Sequence, residues 1–444
     1  MKKLFTLLLA MMLSFSAFGL VACGGDGGNE ENPGANNPPA EYTVEGTEGL
    51  SYAIYGQGDD RYASFTGLNK SCTATEIVIA SHYQGVKVTE IGDGMNTLYN
   101  FKNVESVKVH KYITVINSSA FYNCTNLKTI DFEEDCEIAK FDNFAFLNCT
   151  SLENFNYYGK INMLGDGVFD ECDLLPTTSY EGAEYIGVGN NPYLILSKGK
   201  GEESVKVHKD CTIINSSAFL DDLNLKSVVF ESDENLISIC SSAFKQSGLI
   251  EITIPSSLKS LSEDAFYGCP SLKTVSFTEN SQCTYIGNSV FQNCTALEEL
   301  KNFDKTKITI APERMLMDCT SIKYISFPAT TKIVKVKFMW GCTSNEKITF
   351  PKDSQLQEFE MQIFRNNKKI KSIIVPKTVQ KIGYNLLGYC HTTAVIYSEA
   401  TVNASWHIRW NERGADVYYP VYYYSETYKE DCWHYVNGEP TLWS

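Results

Sequence analysis

Leu261-Ser262-Glu263-Asp264-Ala265-Phe266-Tyr267-Gly268-Cys269-Pro270-Ser271-Leu272-Lys273-Thr274-Val275-Ser276-Phe277 holds every recurring feature of this chain in 17 residues. The phrase Ala-Phe-x-x-Cys-x-x-Leu inside it returns along the sequence. Its Phe position is filled by Phe121, Phe146, Phe169, Phe219, Phe244, Phe266, Phe291, Leu316, Met339, Phe364 and Leu387, with gaps of 25, 23, 50, 25, 22, 25, 25, 23, 25 and 23 residues. A fixed period of this size means one short unit stacked into a solenoid rather than a domain around a central core.

An apolar residue precedes the marker by five positions: Ile116, Phe141, Leu164, Ile214, Ile239, Leu261, Ile286, Val334, Phe359 or Ile382, with Ala311 the weak member. Six positions after it begins an alternation such as Leu272-x-x-Val275-x-Phe277 or Ile322-x-x-Ile325-x-Phe327. Period-two apolar residues bounded by turn residues read as a short strand with one buried face. Pro255, Pro328, Pro351 and Pro376 follow the strands, where Pro ends ladder pairing. The expected architecture is mainly β, with one short parallel strand per 22–25-residue turn, roughly 12–13 turns, capped at both ends. The 50-residue gap reads as one degenerate turn with its strand at Tyr193-Leu194-Ile195-Leu196. Ser106-Val-Lys-Val-His-Lys111 recurs as Ser204-Val-Lys-Val-His-Lys209, which reads as duplication of a four-turn block.

Stretches such as Ile252-Thr-Ile-Pro255, Ile286-Gly287, Ala265-Phe266-x-x-Cys269-x-x-Leu272 and Ala120-Phe121-x-x-Cys124-x-x-Leu127 resemble the BspA-like (treponemal-type) leucine-rich repeats of bacterial surface proteins. The resemblance covers about residues 86–397 and implies a right-handed leucine-rich repeat solenoid. It also implies a role in recognition or adhesion, and a surface lipoprotein of gut bacteria. It does not imply one ligand, because function lives in sites rather than folds.

The ends carry their own signals. Met1-Lys2-Lys3, the apolar run Leu4 to Val21 and Leu20-Val21-Ala22-Cys23 read as a secretory leader. The last four residues resemble a lipobox, which implies cleavage after residue 22 and a diacylglycerol on Cys23; an ordinary secreted protein and an uncleaved membrane helix are the alternatives. Residues 23–41 are rich in Gly, Asn, Glu and Pro and read as a flexible tether. Residues 42–85 read as an N-terminal cap, with strands around Leu50-x-Tyr52-x-Ile54, Tyr62-x-x-Phe65 and Glu76-Ile77-Val78-Ile79. Residues 86–397 are the array. Residues 398–444, crowded with Trp and Tyr, read as a C-terminal cap, since aromatics bury much area with few residues. The sharper reading of that tail is a sugar-stacking platform on Trp406, Trp410, Tyr423, Trp433 and Tyr435.

Charge narrows the partners. The formal net charge is −15, or −17 without Lys2 and Lys3. Such a surface repels nucleic acid and anionic lipid, so membrane contact is expected only through the anchor at Cys23. Eight of the 15 cysteines sit three residues after the marker, where Asp222, Ser247 and Asn367 stand in other turns. A position that accepts Cys, Asp, Ser or Asn suits a small group facing backbone in a tight bend. Metal needs converging ligands, and stacked positions form a line. The six histidines form no metal-binding pair, and His110 and His208 read as surface positions in duplicated turns. Cys72, Cys136, Cys211, Cys240, Cys283 and Cys432 lie off the column, and a bridge among them stays open. The reading is therefore not an enzyme, with no cofactor and no metal.

The outward strand positions are the binding candidates: Thr129 and Asp131, Asn154 and Asn156, Glu251 and Thr253, Thr274 and Ser276, Tyr324 and Ser326, Lys347 and Thr349. The expectation is an exported, lipid-anchored, monomeric bacterial surface protein that binds an extracellular protein or glycan through this face. The alternative is a glycan-binding accessory protein that uses the aromatic tail.

Overall fold

The structure is a computed structural model describing residues 42–443, apart from 70–71, 94–100, 160, 162, 189–190 and 404. The expected leader, the tether and Cys23 lie outside the described residues. The chain is a β-solenoid of about 15 turns with parallel strands stacked turn on turn. That is two or three turns more than the marker spacing predicts. The extra turns come from the ends: Phe65 pairs with Ile91 ahead of the first marked turn, and Trp406 bridges to Ile382 after the last.

Three backbone ladders run along the solenoid. The first is the expected sheet. It runs through Glu76–Val78, Ser106–Val109, Thr129–Phe132 and Asn154–Asn156, then restarts through Ser204–Val207, Ser227–Phe230, Glu251–Ile254, Thr274–Phe277 and Glu299–Lys301. Register is kept turn by turn, as in Glu251↔Thr274 and Ile252↔Val275. The inward residues of these strands are buried and the outward ones are not, as their alternation requires. The second ladder joins two-residue strands just before the marker, such as Ser238–Ile239, Ser260–Leu261 and Tyr285–Ile286.

The third ladder runs through the Ala-Phe bends. Ser119, Phe121 and Asn123 donate their amides to Asn143, Ala145 and Leu147 of the next turn at 2.9, 2.7 and 2.8 Å. Left-handed residues flank each marker two positions before and two after, for example Ser119 (φ 57°) and Asn123 (φ 61°), or Asp264 (φ 57°) and Gly268 (φ 68°). The reversal aims three amides at the neighbouring turn, which satisfies groups that a bend would otherwise bury unpaired. Asn, Asp and Gly recur at these positions because they tolerate φ > 0.

The markers form the core. Phe219, Phe244, Phe266 and Phe291 lie on one another with centroids 4.9, 5.0 and 5.5 Å apart and are almost wholly buried. Phe121, Phe146 and Phe169 make a second stack at 4.9 and 5.6 Å. The two stacks belong to separate cores.

The division falls in the 50-residue gap. In place of one degenerate turn, Thr177–Tyr180, Ala183–Val188 and Asn191–Gly199 form an antiparallel meander. Tyr193–Leu196 lies in its last strand, which pairs in parallel with Ile213–Ile214 and so opens a second stack. The meander repeats the device at the N-terminus, where Leu50–Tyr55 and Tyr62–Leu68 pair antiparallel before Val86–Ile91. The duplication read in the sequence therefore includes a cap. Opposite faces of the meander serve the two cores: Tyr185 and Leu196 bury in the second, Ile186 and Ile195 in the first. Residues 166–170 dock on the outside of the second block. Ser241 donates its hydroxyl to Asp166 at 2.9 Å and Asn215 donates to Asp170 at 3.0 Å. Ile213 and Ser238, at outward positions, are buried there, whereas their counterparts Tyr285 and Ile310 are exposed.

Candidate functional site

The column of residues three after the marker is built for backbone, as its mixed composition implies. The thiols of Cys149, Cys172, Cys269, Cys294, Cys319, Cys342 and Cys390 donate to the marker carbonyl one turn earlier at 2.9–3.1 Å. Asn367 makes the same bond, to Met339, at 2.9 Å. Burial raises the Cys390 thiol to about 12, which keeps its proton in place as a donor. The off-column Cys136 caps His110 and Ile113 carbonyls, and all cysteines among the described residues are free.

His110 departs from its expected surface position. It is 2% exposed, accepts from the Tyr112 amide and meets the Ala80 carbonyl at 3.0 Å. Ala80 and His82 of the N-terminal cap lie against it, a contact that no local pattern announces. Burial lowers its imidazole to about 4, offset in part by the Ala80 bond. His208, its duplicate, packs between Tyr193 and Tyr180 of the meander.

The nominated strand positions share one face, as the alternation predicts. Glu251, Thr253, Tyr324, Ser326, Lys347 and Asn154 are exposed; Thr129, Asp131, Asn156, Thr274, Ser276 and Thr349 are half-buried. Neighbouring turns tie them in columns. Asn156 donates to Asp131 at 2.6 Å, Asn154 to Thr129 at 3.3 Å, and Ser326 and Thr349 are 2.7 Å apart. Tyr324 reaches Glu346 at 3.1 Å, and Lys347 reaches Glu439 at 3.1 Å.

Two hollows lie on this face. One, of about 540 Å³, is lined by Glu251, Thr253, Thr274 and Ser276 together with Val229 and Lys301. The other, of about 520 Å³, is lined by Tyr324 and Ser326 with Glu299, Lys301, Phe303 and Asp304. Lys301 borders both. Between the strands Glu299–Lys301 and Tyr324–Ser326, Asn302 turns left-handed (φ 56°) into a short 3-10 turn, Phe303–Lys305, that interrupts the ladder. Lys301 and this turn lie outside the expected set; the available signal in Leu300-Lys-Asn-Phe-Asp304 is that the second apolar residue, Phe303, stands one place later than Phe277 does in its turn, with no Pro after it.

The aromatic tail completes a separate five-stranded sheet. Ser372–Val375, Val395–Ser398, Val421–Tyr424 and Cys432–Val436 belong to it, and Tyr397 pairs with Tyr422 in register. Trp406, Trp410 and Trp433 are 5%, 6% and 0% exposed, and Trp433 donates to the Ser398 carbonyl at 3.4 Å. Tyr435 is half-buried, its hydroxyl donating to Glu399 at 2.7 Å, and Tyr423 lies at the surface. The indoles thus cover the last turns rather than face solvent.

Comparison with known proteins places this geometry. The family model for the BspA type leucine-rich repeat region matches residues 69–189, 200–311 and 302–405. The chain is similar to a leucine-rich repeat protein of Bacteroides ovatus at 20% identity, covering 81% of this chain and 99% of that one, with a TM-score of 0.36. It is similar to a leucine-rich cell surface protein of Faecalibacterium prausnitzii at 19% identity, covering 85% and 99%, with a TM-score of 0.31. The pneumococcal vaccine antigen PcpA is similar at 14% identity, covering 87% and 94%, with a TM-score of 0.31. No curated protein matches the chain. Among the described residues no helix is long and apolar enough to cross a membrane. The family match spans well over half of the sequence, so this chain belongs to the BspA-type leucine-rich repeat family.

Proposed function

We propose that this protein is a cell-surface recognition protein that binds an extracellular protein or glycan through its sheet face. After removal of the leader, lipid on Cys23 holds it to a bacterial envelope, with residues 24–41 as its tether. The observation that carries the reading is the pair of hollows on the sheet face, lined by Glu251, Thr253, Thr274, Ser276, Tyr324 and Ser326. Rigid strands hold these polar groups at fixed spacing, so a partner meets a pre-ordered surface at little entropic cost.

The test is the lipid-free chain on arrays of host matrix proteins and glycans, beside a variant carrying Glu251→Ala, Tyr324→Ala and Lys347→Ala. Saturable binding lost in the variant supports the sheet face. Binding that survives in the variant and falls with Tyr423→Ala moves the site to the aromatic tail, the alternative reading. That alternative has the weaker support, because the three indoles are buried in the cap.

A further inference from the structure

The acidity of the chain is not evenly spread. Residues 332–413 hold 13 Lys and Arg against 6 Asp and Glu, a net +7, while the remainder holds 25 against 47, a net −22. Several of these cations are neutralised: Lys335 by Glu360, Lys369 by Glu346, Lys381 by Glu358, and Arg409 by Glu412 and Asp416. Lys337, Arg365, Lys368 and Arg413 have no carboxylate within 4.0 Å among the described residues.

These four gather on the edge formed by the Ala-Phe bends, not on the sheet. Arg365 lies between two rings, 5.0 Å from the Trp340 centroid and 4.6 Å from that of Tyr389. Lys337 covers the Trp340 ring at 4.7 Å, and Lys368 donates to the Tyr389 carbonyl at 2.7 Å. The backbone ladder fixes their order: Gly341 donates to Arg365 at 2.9 Å, and Tyr389 to Arg413 at 2.8 Å. The result is a row of cations, one or two per turn, carried on successive turns of the bend ladder. Asp318 beside Gly341 closes its N-terminal end.

We propose that this row binds a polyanionic glycan, through carboxylate or sulfate groups along the sugar chain. Aromatic faces on both sides of Arg365 hold its guanidinium plane still, which leaves the fork of N–H groups preorganised for a two-oxygen anion. Unpaired cations in a chain of opposite net charge create a local field of the sign such a ligand needs. A stiff polysaccharide has regularly spaced charges and loses less chain entropy on a row that repeats turn by turn than an acidic peptide does. The site lies on a different surface from the sheet hollows, so it stands independently of the function proposed above.

The experiment measures binding of the lipid-free chain to dextran sulfate, polygalacturonate, neutral dextran and poly-glutamate. Binding to either anionic polysaccharide but not to neutral dextran is expected, and the preferred one identifies sulfate or uronate as the anion. It should disappear at ~1 M salt, where the Debye length is about 3 Å. The double variant Arg365→Gln, Lys368→Gln should weaken binding at least about tenfold, and Arg365→Lys should weaken it less, since charge remains but the fork is lost. Lys128→Gln and Lys323→Gln, which remove acid-paired lysines on the sheet, should leave it unchanged. Thermal melting of each variant separates lost binding from lost fold. Silence with both polysaccharides, equal binding to poly-glutamate, or an equal loss in the sheet variants would overturn the proposal.

Discussion

The Cys294 thiol donates to the Phe266 carbonyl at 3.0 Å, linking the small residue of one bend to the marker of the bend before it. Both groups are fully buried. The carbonyl faces the core side of a tight bend and has no water to turn to. Among the described residues the chain supplies this donor with Cys seven times and with Asn367 once. Cys294→Ser should therefore keep the bond and cost under about 1 kcal/mol. Cys294→Val should cost more, about 1 kcal/mol, because the Phe266 carbonyl then keeps only the long bond from the Cys269 amide at 3.4 Å. Thermal melting of the two variants checks the order.

The left-handed pair in each bend makes a second prediction. Gln246 adopts φ 58° at the position that Gly268 and Gly341 fill in other turns. Gln246→Gly should stabilise the chain by roughly 0.5–1 kcal/mol, whereas Gln246→Val should destabilise it, since a β-branched residue resists φ > 0. A loss of stability in the glycine variant would mean that the side chain matters more than the backbone strain.

The docking of the two blocks is sensitive to pH. Burial raises the Asp170 carboxyl to about 6, the Asn215 bond opposes this, and Asp166 and Glu171 add to it. The folded state therefore holds a proton that the unfolded state has lost. Between about pH 4 and 6 stability falls as pH rises, by on the order of 2–3 kcal/mol. Asp170→Asn keeps the acceptor for Asn215 and removes the charge. It should match the wild type near pH 4 and exceed it in melting temperature above pH 6.

His110 acts with the opposite sign. Its folded value near 4 lies below the usual 6.5, so the unfolded chain binds the extra proton first and stability is lost as pH falls from about 6.5 to 4. The effect should appear in amides of residues 76–116, read by hydrogen exchange, and should vanish in His110→Gln.

Much of the fold is legible in the sequence because it is local and repeated. Leu272-x-x-Val275-x-Phe277 states which face of its strand is buried, and the same statement returns turn after turn, so no single weak member such as Ala311 obscures it. What repetition cannot state is where the repeat is covered by something else. Ile213 and Tyr285 hold equivalent places, yet one is buried under the first block and the other is exposed. His110 and His208 are duplicates that meet different caps. The meander at 177–199 carries no marker phrase, so spacing alone reads it as a decayed turn. The left-handed bends were only half visible, since Asn123 and Gly268 announce them but Phe144, Lys337 and Tyr389 do not. On the sheet face, alternation names Glu251, Thr253 and Tyr324. The hollows also depend on Lys301 and the 3-10 turn after it, a local departure from the strand pattern within a repeat of ordinary length.

The most direct measurement is hydroxyl-radical footprinting of the lipid-free chain with and without a partner captured on the arrays. Recognition through the sheet face predicts that Tyr324, more than half exposed in the free chain, loses reactivity on binding while the still more exposed Tyr428 of the cap does not. Protection of Tyr428 and Tyr423 with Tyr324 unchanged would contradict it and place binding in the aromatic tail.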